Sequence, residues 1–216
     1  MLRAILFDLD GTLADTAPDL AYALNLMREK RGMPPLLEST LRVHASSGAR
    51  GMIGIGLGIR PDDAEFDAAR NEFLDNYQLH LARATRLFPG IHELLDAIEQ
   101  RGLRWGIVTN KSHRFTLPVL DALELTARAA CAISGDTTAH AKPHPAPMHA
   151  ALQVLGVEAS ECFYVGDDER DVQAGHAAGI EPVVALYGYL GNGKPPEQWG
   201  ARLTIEQPLD LLNLLS

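Results

Sequence analysis

The sequence predicts an α/β fold: a doubly wound, mainly parallel sheet with helices on both faces, interrupted after its first strand by an inserted helical cap. Three observations predict it. A short apolar run at residues 4–7 closes on Asp8. From residue 88 onward, short apolar runs alternate with stretches of helical periodicity, the rhythm of a parallel sheet with crossover helices. Between the two, from about residue 15 to residue 86, no strand pattern occurs.

Each element has its own justification. Ala4-Ile5-Leu6-Phe7 has no polar position, as expected of a strand covered on both faces. Asp15-Thr16-Ala17-Pro18 is a helix-start signature with proline in the first turn, and Leu20, Ala23, Leu24 and Met27 continue at helical spacing. Phe66, Phe73, Tyr77 and Leu81 lie close to one helical face, while the glycine-rich residues 48–58 suit either a short helix or a loop. Ile91, Leu94, Leu95 and Ile98 form an amphipathic helix ended by Gly102. There follow a strand at 105–108 and a helix over 113–123, with Pro118 awkwardly inside it. The remaining strands are expected at 129–134, 162–165, 182–185 and 203–205, and the helices at 147–155, 171–178 and 209–215. The expected division is a core of residues 1–14 and 87–216 and a cap of residues 15–86.

Composition narrows the function. At 216 residues, with 46% hydrophobic and 22% charged, the chain is neither disordered nor a membrane protein in its make-up. A formal net charge of -9 argues against nucleic acid and anionic membranes, which require a basic face. It permits a small anionic substrate, because a bound cation and a few placed bases can make one pocket positive. Cys131 and Cys162 sit in apolar runs and read as buried thiols. No run is long enough to span a bilayer, and Asp8 and Asp10 interrupt the first one, unlike a signal peptide; the expected location is the cytoplasm. Oligomeric state has no signature in the pattern.

Ligands of doubly wound sheets bind beyond the carboxyl ends of the strands, and here those ends are polar. They read Asp8-Leu9-Asp10-Gly11-Thr12, Thr109-Asn110-Lys111 and Gly166-Asp167-Asp168-Glu169-Arg170-Asp171, with Ala141-Lys142-Pro143 before a further helix. One such end is an ordinary loop start. Several carboxylates at one sheet edge repel unless a cation holds them together. Asp8 and Asp10, two apart in an extended chain, point the same way, and Gly11 allows a sharp turn with amides free for an anion. Hard oxygen ligands suit Mg²⁺.

With these residues the chain resembles the haloacid dehalogenase superfamily, in its phosphatase branch, over essentially its whole length. Asp8-x-Asp10-Gly11-Thr12, Thr109, Lys142 and Gly166-Asp167-x-x-x-Asp171 are similar to the family's four motifs, in the family's order. Asp15-Thr16-Ala17-Pro18-Asp19-Leu20 resembles phosphoglycolate phosphatases. Ser47-Gly48-Ala49-Arg50 and Tyr187-Gly188-Tyr189 look closer to the phosphatases of N-acetylmuramic acid 6-phosphate. Asp168 stands where many relatives have serine.

The resemblance implies two-step phosphoryl transfer to and from Asp8, with Asp10 as acid and then base. It implies Mg²⁺ held by Asp8, the Asp10 carbonyl and Asp167, with Asp171 orienting bound water. Thr109, Asn110 and Lys142 would bind the phosphoryl group of a small phosphorylated carboxylate or sugar acid, and a cis peptide is expected at Lys142-Pro143. Lys111 suits a substrate contact or a solvated surface equally. Arg50, among small residues of the cap, is a candidate partner for a substrate carboxylate. A carbon–halogen hydrolase, a phosphosugar mutase and a silent binding module are the rivals. The first has no use for the acid at Asp10, the second shares every motif, and the third would keep costly carboxylates for nothing.

Overall fold

The computed structural model describes residues 1–215. Six strands form one parallel sheet: β1 (Ala4–Phe7), β4 (Arg104–Val108), β5 (Ala132–Ile133), β6 (Cys162–Gly166), β7 (Glu181–Ala185) and β8 (Leu203–Ile205), in the order β5-β4-β1-β6-β7-β8. The chain winds outward from β1 in one direction and then returns to wind in the other. The point of reversal lies at β1, beside β4 and β6, where such sheets bind their ligands.

Alternation along β1 sends Ile5 and Phe7 to one face and Ala4 and Leu6 to the other. Ile5 and Phe7 pack with residues of α5 (Ile91–Gln100) and α6 (His113–Ala122). Ala4 and Leu6 pack with residues of α7 (Ala146–Leu155) and α8 (Glu169–Ala178). Trp105 is core, as its neighbours suggest, and sets its ring edge-on to Phe7. Cys131 and Cys162 are free, buried thiols.

The inserted block consists of α1 (Ala17–Lys30), α2 (Glu38–Arg42), α3 (Gly48–Leu57) and α4 (Phe66–Leu79). The glycine-rich stretch is therefore helical, and Gly58 closes α3 in the left-handed conformation that glycine adopts without strain. Its packing needs small residues, since a Cβ at Gly56 would strike Leu24 of α1. The two connections to the sheet pair as an antiparallel ribbon, β2 (Ala14–Asp15) with β3 (Arg86–Leu87). Asp19, fully buried at the start of α1, accepts hydrogen bonds from the Ala84 and Thr85 amides at 2.8 and 3.0 Å and ties the second connection to the first helix.

Two details differ from expectation. The ladder at β5 covers only Ala132–Ile133 rather than 129–134, because an edge strand pairs on one side and follows its neighbour only while the backbones run parallel. The tail over Pro208–Leu214 is a 3₁₀ helix. As expected, α6 runs through Pro118 without ending there.

Candidate active site

The loop after β1 carries the first two candidates. Gly11 turns the chain at a φ of 89°, which L side chains rarely adopt. Two amides of the turn are engaged rather than free: the Gly11 N–H donates to the Ala14 carbonyl at 2.9 Å and the Thr12 N–H to that of Leu9 at 3.3 Å. The turn closes on itself instead. It leaves the Thr12 hydroxyl to donate to Asp167 Oδ1 at 2.9 Å.

Asp167, at the end of β6, is fully buried and also accepts the Tyr189 N–H on Oδ2 at 2.8 Å. It lies against bare backbone. A Cβ on Gly11 would strike its carboxylate, a Cβ on Gly188 would strike its Cβ, and a Cβ on Gly166 would strike the carboxylate of Asp171. Asp171 occupies the first turn of α8, where its Oδ2 accepts the Asp168 N–H at 3.1 Å in a capping box. Asp168 is the N-cap of that helix and pairs with Arg170 at 2.7 Å, and Arg170 reaches the Ser46 carbonyl of the inserted block at 2.6 Å. Asp168 thus fills the capping role that a serine also fills.

Asp8, Asp167 and Asp171 each bring an oxygen within 4.8 Å of the others. Burial drives the Asp167 carboxyl well above the carboxylate range, and the charges of Asp8 and Asp171 add to the rise. Burial also pushes Asp8 up to about 7; Lys142 opposes this and the charges of Asp171 and Asp10 reinforce it. Three hard oxygen donors that repel one another, in a cradle kept clear by glycines, fit a divalent cation of the Mg²⁺ kind.

Lys142 is buried beside them. Its ammonium donates to Asp171 Oδ1 at 2.7 Å, to the Tyr164 hydroxyl at 2.7 Å and to the Val108 carbonyl at 3.0 Å, and pairs with Asp8 Oδ1 at 3.0 Å. Burial pulls its pKa down, but Asp171 and Asp8 outweigh that, so it stays charged. The Lys142-Pro143 peptide is cis. Asn110 holds the Lys142 backbone at both ends, donating from Nδ2 to its carbonyl and accepting its N–H on Oδ1, each at 2.9 Å. The Asn110 side chain thereby ties down the Lys142 backbone with one of its two Nδ2 hydrogens and its oxygen, while the residue lines the cavity. Thr109, buried at the end of β4, accepts the Lys111 N–H on its hydroxyl at 3.2 Å.

Lys111 is neither solvated nor free. Its side chain is 7% exposed and its ammonium lies 2.8 Å from Asp10 Oδ1. The same oxygen accepts the Thr16 hydroxyl at 2.5 Å.

Asp8, Asp10, Thr109, Asn110, Lys111, Lys142 and Asp171 line one cavity of about 580 Å³. The inserted block supplies its other wall, including Arg50, Arg70, Phe73 and Tyr77, while Arg114 and Phe115 of α6 close one side. Among the described residues nothing pairs with Arg50 or Arg70, and Arg114 meets only the ring of Phe115. Thr12 and Tyr189 stand in runs that the sequence singled out, but their contacts with Asp167 had no signal there, and Tyr164 and Arg70 had none at all. The contacts of Thr12 and Tyr189 with Asp167 span 155 and 22 residues, beyond the reach of any local motif.

A family model described as haloacid dehalogenase-like hydrolase matches residues 5–185, and the chain belongs to that family. It is an enzyme of the phosphatase kind. It is 41% identical over 214 residues to the N-acetylmuramic acid 6-phosphate phosphatase of Pseudomonas aeruginosa, covering 99% of this chain and 95% of that one. It is 43% identical over 209 residues to a phosphoglycolate phosphatase of Xanthomonas campestris pv. campestris, covering 97% and 94%. A crystal structure from Haemophilus somnus, titled as that of a predicted phosphoglycolate phosphatase, superposes with a TM-score of 0.87 at 26% identity, covering 100% of this chain and 98% of that one.

Proposed function

We propose that the chain is a Mg²⁺-dependent phosphomonoesterase that forms an aspartyl phosphate on Asp8 and acts on a small phosphorylated carboxylate or sugar acid. One observation carries this reading: Asp8, Asp10, Thr109, Lys142 and Asp171 line a single cavity, with Asp167 buried behind its edge.

In this reading an Asp8 oxygen attacks phosphorus as the bond to the leaving oxygen breaks. Asp10 gives that oxygen its proton and later takes one from the water that hydrolyses the aspartyl phosphate. Lys142 and Thr109 donate to the phosphoryl oxygens, where charge is spread in the transition state. Asp8, the Asp10 carbonyl and Asp167 would hold Mg²⁺, with Asp171 behind them; bound there, the ion neutralises phosphoryl charge and keeps Asp8 ionised. Residues 15–86 act as a cap over the core of residues 1–14 and 87–216, and exclude water when closed. Arg50, with Arg70 and Arg114, meets an anionic group of the substrate away from its phosphate. The relatives named for phosphoglycolate and N-acetylmuramic acid 6-phosphate support this, since both compounds carry a carboxylate. A cytoplasmic location belongs to the same reading; no helix of the described residues is long and apolar enough to cross a membrane.

The test is phosphate release from a panel of 2-phosphoglycolate, N-acetylmuramate 6-phosphate and common sugar phosphates, with Mg²⁺ and with EDTA. Mg²⁺-dependent release, best on a carboxylate-bearing member, is the expected result. Isomerisation of a sugar phosphate without release would assign a mutase instead.

A further inference from the structure

The environment of Asp10 carries an inference that rests on its reading as acid and base. Both donors that reach Asp10 arrive at one oxygen: the Thr16 hydroxyl at 2.5 Å and the Lys111 ammonium at 2.8 Å, each on Oδ1. Among the described residues nothing donates to Oδ2. An oxygen already facing two donors has no room for a proton of its own, so a proton on this carboxyl belongs on Oδ2.

Lys111 is well placed to enforce that choice. Its backbone is tied on three sides: its N–H to the Thr109 hydroxyl, and its carbonyl to the Gly135 N–H at 2.8 Å and the Thr116 hydroxyl at 3.1 Å. The approach of that loop is close enough that a Cβ on Gly135 would strike Asn110. The side chain then runs from a fixed base to Asp10. Its ammonium lies 4.8 Å from the centre of the Tyr77 ring, on α4 of the inserted block. The Tyr77 ring is buried and set edge-on against Phe115 at 5.3 Å. A ring face over an ammonium attracts it and shields it from water. Lys111 is therefore held from two sides, by a carboxylate of the core and by an aromatic ring of the inserted block.

We propose that Lys111 is a positioning residue for Asp10: it pins Oδ1 so that the proton-bearing Oδ2 faces the leaving oxygen, and Tyr77 fixes Lys111 in that place only while the inserted block lies over the sheet. The step served is one proton transfer. The phosphorus–oxygen bond to the leaving group breaks, the bond from Asp8 forms, and the Asp10 proton moves to the departing oxygen to give the alcohol. Chemical assistance of this kind matters for an alkoxide leaving group and little for p-nitrophenolate, which leaves as a stable anion. General acids contribute roughly 10²–10⁴-fold, and loss of orientation removes part of that.

The experiment is a leaving-group comparison by kcat/KM, which reports on steps through departure of the leaving group, using a sugar phosphate that the enzyme hydrolyses and p-nitrophenyl phosphate, both with Mg²⁺. Asp10→Asn sets the scale and is expected to lose far more on the sugar phosphate. Lys111→Met is expected to lose at least about tenfold more on the sugar phosphate than on p-nitrophenyl phosphate, with Lys111→Arg recovering part of it. The double variant Asp10→Asn with Lys111→Met is expected to be no worse than Asp10→Asn alone, because a residue acting through another adds nothing once that partner is gone. Tyr77→Leu shows the same bias in weaker form and Tyr77→Phe, which keeps the ring, does not. Equal losses on both substrates, with additive losses in the double variant, would make Lys111 a phosphoryl contact or a structural residue and overturn the proposal. An Asp10→Asn variant without leaving-group bias would remove the acid reading itself, and the positioning role with it. Circular dichroism and thermal melting of each variant separate these outcomes from misfolding; should Lys111→Met fail to fold, Lys111→Gln carries the same comparison.

Discussion

Tyr189 joins Asp167 to the first helix of the inserted block: its N–H donates to Asp167 Oδ2 at 2.8 Å, and its hydroxyl oxygen accepts the N–H groups of Thr16 and Ala17 at 2.7 and 2.9 Å. The same hydroxyl donates to Asp15 Oδ1 at 3.0 Å. The helix α1 has no side-chain cap of its own, because the Thr16 hydroxyl is turned to Asp10. A tyrosine 172 residues further along does that work. Tyr189→Phe strands buried amides and is expected to destabilise the fold by about 1–3 kcal/mol, read by urea unfolding. A variant as stable as the wild type would show that water replaces the hydroxyl and that the link is unimportant.

The second prediction concerns Asp167. Removing a buried carboxylate that neighbours Asp8 and Asp171 leaves the proposed cation with fewer ligands. Asp167→Ala is expected to raise the Mg²⁺ concentration needed for half-maximal activity at least tenfold. Calcium is expected to inhibit the wild type, since it takes more ligands in looser geometry and spoils in-line attack. Activity that persists in excess EDTA would contradict the metal assignment.

The third concerns the free guanidinium groups. Among the described residues Arg50 lines the cavity without a partner, as do Arg70 and, apart from its ring contact, Arg114. Arg50→Ala is expected to lower kcat/KM on carboxylate-bearing phosphates by about 10–100-fold, and by far less on p-nitrophenyl phosphate, since a charge-assisted hydrogen bond contributes about 1.5–3 kcal/mol. Equal losses on both substrates would return Arg50 to a general role in cap closure.

The fourth concerns pH. Burial pushes the Cys162 thiol up from 9.0 to about 12 and Cys131 from 9.0 to about 11. A thiol whose folded pKa is raised contributes stability that is complete below its unfolded value and is lost as pH rises through the folded one. The window therefore opens near pH 9, and each thiol contributes a fall of up to roughly 1.4 kcal/mol per pH unit. Urea unfolding of the wild type and Cys162→Ala at pH 8 and pH 10 is expected to show the shallower decline in the variant. Parallel declines would mean that Cys162 ionises as easily folded as unfolded.

Much of this was legible in the sequence. The apolar run of β1 and the polar strand ends put Asp8, Asp10, Thr109 and Asp167 at one sheet edge because the period of a strand and the winding rule leave no other place for them. What stayed hidden depends on contacts without a local signature. Lys111 reads equally as a substrate contact or a solvated lysine until α4 folds over it. The Asn110 amide gives no sign in the sequence that it also holds the Lys142 backbone, 32 residues away. Gly188 and Gly166 stand in motifs of the sequence, but only the fold shows that Asp167 and Asp171 leave no space for a side chain at either.

The central claim is that Asp8 takes the phosphoryl group. Acid quenching during turnover, then borohydride reduction and peptide mass spectrometry, tests it most directly, because borohydride converts an aspartyl phosphate to homoserine. The account predicts homoserine at position 8 in the wild type, none in Asp8→Asn, and a loss of turnover above ~10³-fold in that variant with the fold intact. An unmodified position 8 in protein quenched at full turnover, or near-normal activity of Asp8→Asn, would contradict it.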